Sequence, residues 1–357
     1  MLIERTSPKM LSNVVVIRPI LIVLLVFYHA FLIFQGGWGS TGQFPEVKAY
    51  WWLDKLSYSF LLEMFVFISG YVLGYQVRVK GESILSAKPF FGKKVKRLLI
   101  PSIVFSALYI VLLGDISQPI LKTLYGIVNG VGHMWFLPML FWCFAFVWMI
   151  DKLNFEPHFV YPLLLLCSIC SFFPLPFRIG VSMYYMFFFY VGYHLQRNNI
   201  NLEKFYSLRW IVGLIASFLV LFPSLTLVQQ YLIKPAPSGA LLSGESVLFK
   251  VIRISLSNTA KIIYSSLGVA MLFCIVGFFE KNRTDSLPQW IVSVGSLCMG
   301  VYLLQQFILK LLYFHTALPS LVSSLWLPWV GFTIALAGSI LLSFLLRKTR
   351  IGRFLIG

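Results

Sequence analysis

Charge is scarce in this sequence, and acidity scarcer still: Asp, Glu, Lys and Arg make up 11% of 357 residues, with 12 acids against 29 bases. A chain that is 59% hydrophobic with so few charges cannot cover itself with a water-loving surface, which excludes an ordinary soluble globular protein. There is no internal repeat, no low-complexity stretch and no polar segment long enough for an appended soluble domain, so one membrane domain is expected over 1–357. Cysteine is also sparse. The five, at 143, 167, 170, 274 and 298, fall in apolar stretches, leaving none for a disulfide on an outer loop. Cys167 and Cys170 have no histidine or carboxylate at ligand spacing nearby, so no metal is expected.

What the sequence has in abundance is apolar length. Runs able to cross hydrocarbon as helices are expected at 13–34, 56–77, 98–114, 134–150, 159–173, 179–195, 210–232, 258–279, 289–311 and 325–346. The fifth is short, and PLPFR at 174–178 reads equally as a re-entrant kink. The longest stretch outside these spans, about 233–257, reads as an outer loop. Ten spans put both termini on one side. Of the 29 Lys and Arg, nineteen then lie on that side, nine on the other and Arg18 within a span, which assigns both termini to the cytoplasm. The fold class is therefore all-α: a polytopic integral membrane protein of about ten transmembrane helices, multi-pass in the inner (plasma) membrane. The first span is too long and too charged for a cleavable signal peptide. The net charge of +17 is scattered over short loops, so it reads as topology, and no nucleic-acid partner is expected.

Polar groups inside such spans are the first candidates for function. Arg18 and His29 share the first span, and eleven helical steps bring them through three turns plus roughly 20°, with an advance of roughly 16 Å. They face one side of one helix at different depths, which suits a phosphate-bearing donor near Arg18 and reaction at His29. Glu63 lies about as deep from the outer face in the second span, where a carboxylate could orient the imidazole. Asp54, His133 and Lys261 fall near outer helix ends and read as interfacial, as do the aromatics at 50–52, 135 and 326–329.

Five segments in this order carry a family resemblance: Arg18, ten residues, then His29; EMFVFISGYVLGY in the second span; a basic loop ending KKVKRLLIP; GHMWFLPMLF opening the fourth; and a late GVYLLQQF. Together they resemble the membrane acyltransferase 3 family over the whole chain. The resemblance implies about ten helices, an acyl donor such as acetyl-CoA arriving from the cytoplasm, and a hydroxyl acceptor, often on a surface carbohydrate. It implies His29 as general base, with imidazole suited to taking a proton from the acceptor hydroxyl. Two departures stand out. The family's Arg, two residues, Arg pair is here Lys94 and Arg97, flanked by Lys93 and Lys96, and lysine holds phosphate as a point charge without arginine's fork. After the late YLL, where His and Gln commonly follow, Gln305 and Gln306 stand instead, which puts a proton-carrying role at that position in doubt.

The expected activity is O-acyl transfer to a carbohydrate hydroxyl. Lys94, Lys96, Arg97 and Arg78 would gather donor phosphates, Arg18 would guide the donor inward, and His29, with Glu63, would act in catalysis. The alternatives are a glycan transporter or flippase, whose buried charges would line a route, and an acyltransferase for succinyl or for a lipid acceptor. Neither the oxyanion stabiliser nor the oligomeric state can be read from the sequence.

Overall fold

The computed structural model describes residues 11–39, 44, 47–114, 118–171, 173, 175–233 and 247–357. Among these residues there are helices and no strand. In chain order they are α1 (Ser12–Phe31), α2 (Lys48–Tyr58), α3 (Leu61–Lys80), α4 (Ala87–Lys94) and α5 (Ile100–Leu113). Next come α6 (Ile120–Asn129), α7 (Phe136–Lys152), α8 (Pro157–Ile169), α9 (Ile179–Arg197) and α10 (Leu208–Ile233). The last five are α11 (Val247–Lys281), α12 (Gln289–Phe314), α13 (Leu318–Leu321), α14 (Leu327–Lys348) and α15 (Arg350–Ile356).

Eight stretches among the described residues are long and apolar enough to cross a membrane: Ser12–Gln35, Lys48–Lys80, Ala87–Leu113, Gly132–Lys152, Leu208–Tyr231, Leu248–Lys281, Gln289–Phe314 and Leu327–Lys348. The two further expected spans fall on α8 and α9. At 13 residues α8 rises about 20 Å, short of the roughly 30 Å of hydrocarbon. Helix α9 has 19 residues, but its tyrosines and the closing His194, Gln196 and Arg197 dilute its apolar character.

Two sequence expectations change. The basic loop KKVKRLLIP is helical throughout, because no breaker stands between Gly92 and Pro101. Pro101 cannot donate and its ring crowds the carbonyl four residues back, at Arg97. The chain absorbs this as a single π turn, Val95–Leu99, in which the Ile100 N–H reaches the Val95 carbonyl. The outer loop expected over 233–257 is shorter on its far side, since VLFKVIRISL holds neither Pro nor Gly and already forms the start of α11. Residues 234–246 of that loop lie outside the described residues.

The helices cluster into two compact units. Unit one takes the described parts of 1–61, 86–141 and 283–357, and unit two those of 62–85 and 142–282. In unit one, α1 packs against α2, α12 and α14, and α12 against α14. The buried stripe of α1, Ile17, Leu21, Ile22, Leu25, Val26 and His29, repeats at three and four residues and faces these neighbours. Pro19 frees the Val15 carbonyl from its helical partner, and α12 passes that carbonyl at Gly295. Helix α15 folds onto the π turn, α5 and α12, burying Ile356.

In unit two, α10 packs along α11 and α8 along α9. The ISGYVLGY motif is explained by backbone proximity. A methyl group on Gly70 or Gly74 of α3 would overlap the carbonyls of Phe189 and Tyr193 on α9, and one on Gly192 would overlap that of Phe67. Small residues four apart let two helices touch backbone to backbone, the principal source of helix cohesion where lipid removes the hydrophobic drive. Arg197 of α9 ties this unit at one end, bonding Asp151 of α7, the Tyr193 hydroxyl at 2.9 Å and Glu82 at 3.1 Å.

Candidate active site

His29 sits in the last turn of α1 and is 6% exposed. The helix ends there because the chain tightens into a 3₁₀ turn, Leu32–Gln35, then reverses through Gly36 at φ 71° and Trp38 at φ 58°. A tryptophan in the left-handed region is strained, and such strain concentrates at functional positions. The Trp38 ring lies 6.2 Å from the His29 ring, centroid to centroid. The Tyr313 hydroxyl of α12 donates to the Ala30 carbonyl at 3.0 Å, fixing the end of α1 against α12.

The partner of His29 is a residue of α12. Gln305 places its Nε2 2.8 Å from His29 Nδ1, and its own Oε1 is buried without a hydrogen-bond partner. The next residue, Gln306, serves a second imidazole. Its Oε1 lies 2.6 Å from His133 Nδ1 and accepts the His133 backbone N–H at 3.3 Å. His133 Nε2 faces the Leu303 carbonyl at 3.3 Å, and the Tyr302 hydroxyl donates to the His133 carbonyl. The two imidazoles meet edge to face, centroids 5.9 Å apart. Adjacent helical residues diverge by roughly 100°, which lets neighbouring glutamines reach rings on two different elements. Gly132, at φ 57°, is required there: a side chain would run into Gln306 Oε1 and the Tyr109 ring.

His133 does precede α7 at a helix start, but it is 4% exposed, with Nδ1 bonded to Gln306 and Nε2 facing the Leu303 carbonyl, not an interfacial side chain in water. Asp54 is likewise buried, at 1%, and accepts from Gln35. Neither connection was legible from the sequence, where Gln305 and Gln306 entered only as a departure from a motif.

The cationic candidates divide between the units. Arg18, half-buried on α1, lies within reach of the Arg97 charge on the π turn and of the Cys298 thiol on α12. Lys94 in turn feels Arg97 and Lys93, and its ammonium stands 5.4 Å over the Phe90 ring. Lys96 and Arg97 are exposed. Neither Arg18 nor Arg97 has a carboxylate at ion-pair distance among the described residues. Cations gathered without acids repel one another, and an anion relieves that repulsion. Arg78 belongs to unit two, where it donates to Asn199 Oδ1 and lies over the Tyr75 ring at 5.5 Å.

Glu63, fully buried on α3 in unit two, is ion-paired with Lys261 of α11 at 3.2 Å. The Lys261 ammonium also stands 4.6 Å over the Tyr184 ring. Lys261 was expected at an interface, and no sequence feature tied it to Glu63. Among the described residues no three His, Cys, Asp or Glu side chains gather as a metal site.

A family model described as an acyltransferase domain, of the acyltransferase 3 type, matches residues 12–348, and so takes in His29, both glutamines and the π turn. The chain belongs to that family. It is accordingly a multi-pass membrane acyltransferase, in a family whose chemistry is acyl transfer to hydroxyl acceptors. No curated protein and no solved structure matches the chain.

Proposed function

We propose that this acyltransferase moves an acyl group, acetyl from acetyl-CoA, onto a hydroxyl of a surface carbohydrate or its membrane-linked precursor, with His29 as general base. The observation that carries the reading is the buried imidazole of His29 bonded by Gln305, on the same helix as an Arg18 that stands beside Arg97 of the π turn, neither with a carboxylate at ion-pair distance among the described residues.

The chemistry balances on one histidine. The acceptor O–H gives its proton to the free imidazole nitrogen as its oxygen attacks the thioester carbonyl and the O–C bond forms. The C–S bond breaks, and the imidazolium returns the proton to the departing thiolate, giving free coenzyme A thiol and the ester. Arg18, Lys94, Lys96 and Arg97 would hold the donor phosphates as charge-assisted contacts. Glu63, ion-paired with Lys261 within unit two, is proposed as an acidic group that serves the reaction. With both termini cytoplasmic in the inner membrane, the donor reaches the π turn from the cytoplasm. The carbohydrate identity is supported only by the resemblance of the motifs.

The test is turnover of acetyl-CoA by purified protein in detergent with a surface glycan as acceptor, alongside mass spectrometry of surface glycans from cells with and without the protein. His29→Ala should keep donor binding while transfer falls on the order of a hundredfold or more. Near-normal transfer in that variant ends the assignment of the base.

A further inference from the structure

We propose that Gln305 is a positioning residue for His29, its side-chain amide deciding which imidazole nitrogen carries the proton. The inference rests on the proposed role of His29 as base.

The two glutamines of α12 are not equivalent. Gln306 is locked: its Oε1 accepts from the His133 backbone N–H, so the oxygen must face that ring, and His133 keeps its proton on Nδ1. Gln305 has no such lock. With its Nε2 donating to His29 Nδ1, that nitrogen is an acceptor, and a neutral imidazole then carries its proton on Nε2. This form has no lone pair left on Nε2 for an acceptor hydroxyl.

The unpartnered Gln305 Oε1 supplies the other state. Turning the amide by half a rotation brings Oε1 onto His29 Nδ1–H and frees the Nε2 lone pair, which is the form a base needs. One hydrogen bond is exchanged for another, so the two orientations are close in energy. Once the ring has taken a second proton, only the turned amide can accept from Nδ1–H, and it thereby holds the imidazolium until the thiolate is reprotonated. An amide carbonyl orienting a catalytic imidazole has the same logic as the Cys-His-Asn triad. Among the described residues of unit one, no other group hydrogen-bonds His29 Nδ1. Among the described residues, the titratable neighbours of His29 are Tyr28, in the adjacent position with its ring centroid 5.1 Å away, His133, whose Nδ1 is bonded to Gln306, and Tyr313, which is bonded to Ala30. Asp54, on α2, is bonded to Gln35.

The test is ¹⁵N NMR of ring-labelled histidine in the full-length protein in detergent, with the His29 signals among the five histidines assigned by their loss in His29→Gln. Gln305→Glu, an isosteric acceptor, should fix the proton on Nδ1. Gln305→Met, similar in volume and unable to bond, should release His29 to the tautomer mixture of free imidazole. His29 signals unchanged from wild type in both variants would overturn the proposal. So would a wild-type spectrum in which His29 already matches free imidazole, a result that needs no variant to fold. The spectrum is independent of turnover. Loss of transfer in His29→Ala together with unmoved His29 signals would refute the positioning role alone, whereas retained transfer in His29→Ala would refute the base assignment alone.

Discussion

The ion pair between Glu63 and Lys261 predicts an asymmetry. At 3.2 Å and an effective dielectric near 20, the attraction is about 5 kcal/mol before either group's loss of water is counted. The partners are not equally dry: the side chain of Glu63 is 1% exposed and that of Lys261 is 26% exposed. Lys261→Met leaves a buried carboxylate with neither oxygen hydrogen-bonded, which should cost about 3 to 5 kcal/mol. Glu63→Leu leaves a partly exposed ammonium that keeps its place over the Tyr184 ring, so the cost should be smaller, about 1 kcal/mol. The double variant removes both charges and should lie near Glu63→Leu, giving a coupling of about 3 to 5 kcal/mol between the two positions. Unfolding in mixed micelles, followed against the fraction of denaturing detergent, measures all four proteins. Additive costs, or a Lys261→Met variant as stable as wild type, would show that the pair carries no net energy and that the asymmetry argument is wrong.

Other consequences are simpler to state. Gly192→Leu should destabilise unit two by about 3 kcal/mol or more, since the new side chain meets the Phe67 carbonyl, whereas Gly213→Ala on α10, with open space around it, should gain up to about 1 kcal/mol. The same unfolding measurement ranks them, and equal stabilities would contradict the close α3–α9 contact. Neutralising Lys94 and Arg97 together should weaken acetyl-CoA binding in calorimetry and flatten its dependence on salt, because fewer charge pairs form. Unchanged affinity would leave those cations a purely topological role. Glu63→Gln should lower transfer with little effect on donor binding if its charge serves the reaction, and normal transfer in a folded variant would remove Glu63 from the site.

The architecture was legible where lipid alone dictates it. A helix in hydrocarbon must satisfy its own backbone, so long apolar runs such as those of α1, α12 and α14 announce themselves, and a histidine or arginine within one is conspicuous. The reading was weaker where protein surrounds the helix instead. In α9, Tyr184, Tyr185, Tyr190 and Tyr193 are buried against neighbouring helices, so the composition of that helix reflects packing and says little about a crossing. The same distinction explains Lys261. Its depth was judged from a span beginning at 258, yet α11 begins at Val247, which puts Lys261 fourteen residues, roughly 21 Å, inside the helix and within reach of Glu63.

His29 and its amide show the deeper limit. Each residue was visible in the sequence, but 276 positions separate them, and their meeting depends on α1 lying along α12. That contact is set by small things: the carbonyl freed by Pro19, the glycine at 295 that passes beside it, and the Tyr313 hydroxyl on Ala30. None has a polar or periodic signature. A buried histidine in lipid must find a partner somewhere, because an unbonded ring nitrogen is costly to bury. The need for a partner could be read from the sequence, whereas the choice between Glu63 and Gln305 required the packing of helices far apart in the chain. An amide partner also differs from a carboxylate in what it can do. It can present a donor or an acceptor to the same nitrogen, so on the proposed reading Gln305, which stands where the family commonly has His, still has a means of governing a proton.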